Sequence, residues 1–536
     1  MLFRQMLETL YMVKEQFPEA AKQAVDSLLP RWLQAMCGLL GQDLEVVTER
    51  LSGAVGGQKG KEVEWEALAL RYEALTTLNI AAHFKAHIKP HLSSIIITSL
   101  HNIQALLPAF HAFHVASATA GEEPFTKPAS FPPEGDADIA SSIPKVISAA
   151  VELISTLVRV SGGQGKNMLQ SAEQAGGVSL LGQLAWTLLN MAQMSKDEEE
   201  EWTDDVNLFI SEQEDEDMGG GMRSDSLRVV AIDALSELLD NLPPDAAAGA
   251  LKRAFDEQVS ASKAEQQRGN ADWWKPTEAA LACVGGSSST LGDLLDPEAG
   301  SSSVRSLFNL ESIFESTVIP YIAAGAPAFL RGQAFIFASN FSSLLPAHIA
   351  RQFLEEAVKA LETDVSDGEG MIVTISSVRA IKNLHRRSDQ EAVRGYAERI
   401  LGRIGLLLDA LHGDGIVLLL ETIQAVVVQS HKDGAAAKEI ADDVYGQITT
   451  VALNCYLKEP AGKSPANLVC AQSLCLTCYV HRYCPCWGGA RSARSSGWPS
   501  LNLRRRRCAA SGNSTARTPD HRRPNTCADW RRRFRS

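Results

Sequence analysis

Residues 227–242 read LRVVAIDALSELLDNL. Their apolar side chains fall at Leu227, Val230, Ala231, Ala234, Leu235, Leu238 and Leu239, the i, i+3, i+4, i+7 spacing that gathers them on one side of an α-helix. A half-buried strand would need strict alternation, which this stretch lacks. The same period returns downstream at 273–284 (WWKPTEAALACV), 329–345 (FLRGQAFIFASNFSSLL) and 373–384 (VTISSVRAIKNL), each with a small residue, usually Ala, among larger apolar ones. Upstream it recurs at 65–84 and 91–107 around Pro90, then at 143–160 and 168–194. At the start, Leu2, Met6, Leu10, Val13 and Phe17 share one face, Pro18 interrupts, and a second helix is expected over 19–29, ending at Pro30.

These helix pairs are apolar on more than one face, so a pair cannot bury itself and must stack on its neighbours. Their spacing is near the ~40–47 residues of HEAT or armadillo units. The expected fold class is therefore all-α: a HEAT/armadillo-like α-solenoid, a superhelix of stacked antiparallel helix pairs, over residues 1–460. Gly, Pro, Ser or acid-rich stretches at 52–61, 121–142, 285–303 and 362–370 are expected to be loops or insertions.

The chain has 536 residues, 45% hydrophobic and 21% charged, which is too much for one ordinary domain and fits an array. Its net charge of −13 is unevenly spread: from residue 461 onward there are 15 Lys and Arg against 2 Asp, leaving 36 basic against 62 acidic residues before it. That excess excludes nucleic acid as the direct ligand of the body and points to a basic protein partner. Of ten cysteines only Cys37, Cys283 and Cys455 lie in the body, too few for a disulfide framework, so a reducing compartment is expected. The first residues are broken by Glu8, Lys14 and Glu15 and lack a cleavage signature, and the apolar run 416–428 is too short to span a bilayer. No membrane insertion is expected.

The candidate site is 196–217, KDEEEEWTDDVNLFISEQEDED, in which every charge after Lys196 is negative. Trp202, Leu208, Phe209 and Ile210 interrupt the acids. A purely solvating run has no use for them, so the stretch is expected to be an acidic loop anchored by its aromatics and presenting anions to a cationic partner. The candidate cargo-binding residues are Asp197, Glu198, Glu199, Glu200, Glu201, Trp202, Asp204, Asp205, Phe209, Glu212, Glu214, Asp215, Glu216 and Asp217.

Other motifs point away from chemistry. Gly60-Lys61, Gly165-Lys166 and Gly462-Lys463 lack the spacing of a phosphate loop. His83, His87 and His91 step by four, but Pro90 is expected to end that helix before His91 and no carboxylate or cysteine joins them in sequence. Trp273 and Trp274 are expected to pack between helices. No nucleophile and base can be assembled, so the expectation is a non-enzyme with no cofactor, catalytic residue or metal site.

The residues also resemble a family. Trp202-Thr-Asp-Asp-Val-Asn-Leu-Phe-Ile with its Glu-Asp run, Leu227-Arg-Val-Val-Ala-Ile-Asp-Ala-Leu, Asp272-Trp-Trp-Lys-Pro-Thr-Glu-Ala, Leu330-Arg-Gly-Gln-Ala-Phe-Ile-Phe-Ala-Ser-Asn-Phe, 373–384 and Leu418-Leu-Leu-Glu-Thr-Ile occur in order. Across about 62–460 the chain resembles importin-β superfamily nuclear transport receptors (karyopherins) of the importin-9 type. The resemblance implies a carrier that shuttles between cytoplasm and nucleus through the pore, binds basic cargo such as core histones, contacts nuclear pore proteins and releases cargo to the GTPase Ran. It also implies a central fragment: the N-terminal arch that forms the main Ran site is expected to be absent, so Ran binding is expected to be weak. The competing class is a HEAT-repeat scaffold subunit of a protein complex, with the acidic stretch a passive insertion.

Residues 461–536 are a separate matter. Cysteines at 470, 475, 478, 484, 486, 508 and 527, the arginine runs 504–507 and 531–533 and the loss of helical period mark a basic Arg/Ser/Cys-rich tail, expected to be disordered and to be translated intron or frame-shifted sequence. A zinc module on Cys475, Cys478, His481, Cys484 and Cys486 is one alternative. A nucleic-acid-binding tail is the other.

Overall fold

In the computed structural model, close contacts group the chain into two units, Met1–Tyr479 and Val480–Ser536. The structure describes residues 2–42, 65–117, 142–160, 179–218, 226–363, 368–384 and 390–430, save 324, 409 and 413, together with 44, 167 and 169. The three glycine-lysine pairs, most of the 121–142 stretch and the basic tail lie outside these residues.

Every element among the described residues is helical, and the first unit is an α-solenoid. In chain order the longer helices are α1 (Leu2–Val13), α2 (Pro18–Leu40), α3 (Trp65–Ala81), α4 (Leu92–Phe110), α5 (Ile143–Val160), α6 (Leu180–Met191), α7 (Lys196–Asp204) and α8 (Val206–Met218). They continue with α9 (Leu227–Asn241), α10 (Pro244–Arg268), α11 (Lys275–Gly286), α12 (Ala328–Asn340), α13 (Ala347–Glu362), α14 (Gly368–Leu384), α15 (Gln390–Leu407) and α16 (Asp414–Ser430).

Stacking follows from their apolar faces. Both α3 and α4 pack on α5, α5 on α9, α6 on α10, α11 on α12, α12 on α14, and α14 on α13 and α16. In α9 the predicted face is the buried one: Leu227, Val230, Ala231, Ala234, Leu235, Leu238 and Leu239 all lose their water contact. Phe314 meets Phe337 and Phe353 with ring centroids 5.3 and 5.4 Å apart, tying α12 to α13. The α12 and α14 backbones come close at Gly332, where a Cβ would stand 2.9 Å from Ser376 Oγ.

Local signals set the ends. Pro18 sits in the first turn of α2, where a missing N–H costs nothing. Gly269 closes α10 in the left-handed region, φ 76°, with its N–H returned to Gln266 O and Glu265 O.

Two expectations fail here. Helix α2 does not stop at Pro30 but runs through it to Leu40; Val25, Leu29, Leu33, Met36 and Leu40 stay on one buried face across the proline, and that burial outweighs the lost backbone bond. The expected loop 285–303 contains a helix, Ser288–Leu295, because Leu291 and Leu295 are one turn apart and both buried. Among the described residues one helical run, Lys85–Val115, is long and apolar enough to cross a membrane by length and composition alone, and 56% of its apolar window is covered by protein.

Candidate functional site: an acidic helix pair clamped to the array

Ser195 decides the form of the acidic stretch. Its Oγ accepts the Glu198 N–H at 3.2 Å while Glu198 Oε2 accepts the Ser195 N–H at 2.9 Å, a capping box that nucleates α7. Asp197, Glu198 and Glu199 occupy the first turn, where the partial positive charge of the helix start stabilises anions. Asp205 then accepts from the N–H of Asn207 at 2.9 Å and of Leu208 at 3.4 Å, starting α8. The expected acidic loop is thus corrected: 196–218 is a pair of helices, α7 started by the Ser195 capping box with acids in its first turn and α8 started by the Asp205 side chain.

One side of the pair is bolted down. Trp202 is 2% exposed, lies 5.4 Å from the Phe209 ring and 6.2 Å from Phe329, and sits beneath the Arg228 guanidinium at 5.8 Å. Its Nε1 donates to Glu212 Oε2 at 2.6 Å. Glu199 pairs at 2.8 Å with Lys275 Nζ, a fully buried ammonium that also donates to Val115 O at 2.8 Å and stands 3.7 Å from Asp272. Ser226 Oγ donates to Glu198 Oε1 at 2.8 Å, and Asn207 Oδ1 accepts the His412 N–H at 3.0 Å. Both helices rest on α14, and α8 reaches α16. A Cβ on Gly368, at the start of α14, would meet Thr203 O at 2.0 Å, so the approach of α7 depends on glycine there.

The other side is open. Asp197, Glu200, Glu201 and Asp204 are exposed and stand at i, i+3, i+4 and i+7, one stripe along α7. The basic neighbour Lys196 reaches Glu200 at 3.6 Å.

The fourteen candidate residues therefore separate by role. Four form the outward stripe. Glu198, Glu199 and Glu212 are engaged by the protein itself, Asp205 is exposed but holds the start of α8, and Trp202 and Phe209 are buried anchors. Glu214, Asp215, Glu216 and Asp217 lie in the last turns of α8, and their side chains are outside the described residues.

Sequence reasoning missed Ser195, Lys275, Phe329 and the pair Arg228 and Glu278. That pair is bidentate, 2.9 and 2.5 Å, with exposures of 2% and 1%. The Ser195-x-x-Glu198 signature was available; nothing in the sequence links Arg228 to a glutamate fifty positions away.

The remaining motifs are structural. The histidine series is broken earlier than expected, because α3 ends at Ala81, before His83, and His87 belongs to a new helical run, Lys85–Val115, that passes through Pro90 with His91 in a short 3₁₀ turn. His83 packs against Tyr11 with the rings tilted and their centroids 4.6 Å apart, and His87 bonds Asp26 at 2.8 Å. Trp274 lies flat on Phe329 at 6.0 Å and Trp273 meets Tyr321 at 6.1 Å, packing between helices as expected. Glu311, Glu315 and His348 bring possible ligand atoms within 4.8 Å of one another, but all three are exposed, and His348 Nε2 lies 3.8 Å from Glu311 Oε1 at the surface. Burial holds the His111 imidazole below its ordinary value, partly offset by the bond from its Nε2 to Asn190 O at 3.0 Å.

Residues 175–430, which hold both acidic helices and all of their sockets except Val115, match a family model described as importin-9 central HEAT repeats. This segment belongs to the importin-β superfamily. Solved structures give a similar helical course. A Kap121p mutant is 14% identical with a TM-score of 0.49, covering 81% of this chain and 34% of its own. Lph2, described as a bidirectional nuclear transport receptor of S. cerevisiae, is 11% identical at 0.49, covering 89% and 46%. Kap121p bound to RanGTP is 14% identical at 0.46, covering 80% and 33%. The chain thus spans between a third and a half of these karyopherins.

Proposed function

We propose that this chain is the cargo-engaging central segment of a nuclear import receptor that carries basic proteins, with core histones as the cargo class, between cytoplasm and nucleus. The observation that carries the reading is the outward stripe Asp197, Glu200, Glu201 and Asp204 on a helix whose opposite side is clamped. A fixed row of four carboxylates over about 10 Å can meet a row of Lys and Arg without first ordering itself, which lowers the cost of association. The pull is long range and screened by salt, so it acts mainly on the association rate. Release to Ran and passage through the pore belong to the longer receptor, and on this reading the isolated chain binds Ran weakly.

The test is to neutralise the stripe alone, Asp197→Asn, Glu200→Gln, Glu201→Gln and Asp204→Asn, and to follow core-histone binding across salt. Binding at low salt should weaken by about tenfold or more, with a flatter salt dependence and unchanged melting. Unaltered histone binding would remove the stripe from the reading. Changing Glu198 or Glu199 tests something else, because these two hold the fold.

The second reading is a HEAT-repeat scaffold in which the pair is only a brace. The internal use of Glu198, Glu199 and Glu212 favours it. Salt-insensitive binding to a folded subunit through the repeat ridges would select it.

A further inference from the structure

At the corner between α3 and α4, away from the acidic pair in sequence, is a cavity of about 260 Å³ lined by Ala82, Lys85, Ile88, Lys89, Leu92, Leu157 and Val160. Its apolar lining is dominated by buried side chains: Ala82 and Leu157 have no exposure, and Ile88 and Leu92 have 3% each. Its rim is cationic, because Lys85 and Lys89 are exposed and neither has an ion-pair partner among the described residues. More positive charge gathers nearby, since Lys14, Arg159 and Lys85 all act on His83 and, after burial, push its imidazole further below the ordinary value. Two acids near this corner are engaged, Asp26 with His87 at 2.8 Å and Glu237 with Arg159 at 3.3 Å. In a body with 62 acidic against 36 basic residues, a cationic rim around an apolar hollow is a local reversal of sign.

We infer that this corner is a second docking site, built for a short acidic segment of a partner protein that inserts one aliphatic or aromatic side chain between flanking carboxylates. The hollow is large enough for one such side chain and offers it contact on several sides. Lys85 and Lys89, four residues apart on the rim, meet the carboxylates, while the charge of the rim disfavours basic cargo. The chain then sorts partners by sign, basic ones to α7 and acidic ones to the corner.

The test uses the full chain and a fluorescent peptide with a Phe anchor flanked by Asp and Glu, read by anisotropy. Three controls are the same peptide with Gly for Phe, with Asn and Gln for the acids, and with Lys for the acids. Binding of the first peptide alone, weakened by salt, is expected. Lys85→Glu with Lys89→Glu should reduce it about tenfold or more, whereas Lys263→Glu, a charge change at an exposed position of α10, should not, and histone binding should be unchanged. If the double reversal disturbs melting, Lys85→Gln with Lys89→Gln gives the smaller loss expected from neutralisation. Equal binding of the Gly peptide would reduce the site to surface charge, and equal binding of the Asn and Gln peptide would reduce it to an apolar patch. No effect of the lysine changes, or the same loss from Lys263→Glu, would also overturn the proposal.

Discussion

Arg228 and Glu278 place two full charges where water does not reach, joining α9 to α11. Such a pair is worth little net stability compared with apolar side chains of the same volume, because both ions are desolvated, yet breaking it strands a charge. Arg228→Met alone should therefore cost about 3–5 kcal/mol, while Arg228→Met with Glu278→Leu should recover most of that loss. Denaturant midpoints followed by tryptophan emission check both. A double variant as unstable as the single one would mean that the pair is not the origin of the cost. At this scale the sequence was readable where chemistry is local: Trp202, Phe209, Trp273 and Trp274 are packed as expected. It was silent where partners meet only through the stacking of distant helices. Lys275 is the sharpest case, since its sequence neighbours Trp274 and Pro276 say nothing of Val115 or Glu199.

Helices α7 and α14 show how an element is placed by a residue that carries no side chain. Alanine is ordinarily the better helix former by about 0.5–1 kcal/mol, so Gly→Ala in α14 or α15 should stabilise wherever there is room. At Gly395 in α15 nothing lies within 4 Å of a new Cβ, and Gly395→Ala should raise the melting temperature. At Gly368 the Cβ would meet Thr203 O at 2.0 Å. That neighbour is backbone and cannot swing away, so overpacking of about 1–3 kcal/mol outweighs the helix gain and Gly368→Ala should lower melting. Amide exchange across 196–204 should rise with it. If both substitutions stabilised, α7 would not be seated against α14. The periodicity of α9 and α14 was legible because one face is buried, and α7 was misread because its pattern is set by a capping box and charge rather than by hydrophobic period.

In an array whose repeats touch only their neighbours, stability is close to a sum of local terms, and damage stays near where it is made. The α7 and α8 pair breaks that rule. Its residues 196–218 contact α14 and α16, and within the same pair Lys275 on α11, Phe329 on α12 and His412 ahead of α16 are each engaged. The farthest of these contacts, Asn207 with His412, joins residues 205 positions apart, so the pair should transmit loosening between repeats that do not touch. Trp202→Ala removes the largest side chain of the clamp together with its Nε1 bond to Glu212, and should cost about 3–5 kcal/mol. Its effect on hydrogen exchange should therefore appear in the pair itself, at 196–213, and in the helices that seat it, at 368–384 and 414–426, with α3 and α4 unchanged. The reverse experiment carries the same logic: Ile381→Ala, a fully buried cut in α14, should speed exchange in α7 as well as in α12 and α13. Changes confined to α12, α13 and α16 in that variant would return the molecule to nearest-neighbour behaviour and leave the acidic pair a surface appendage.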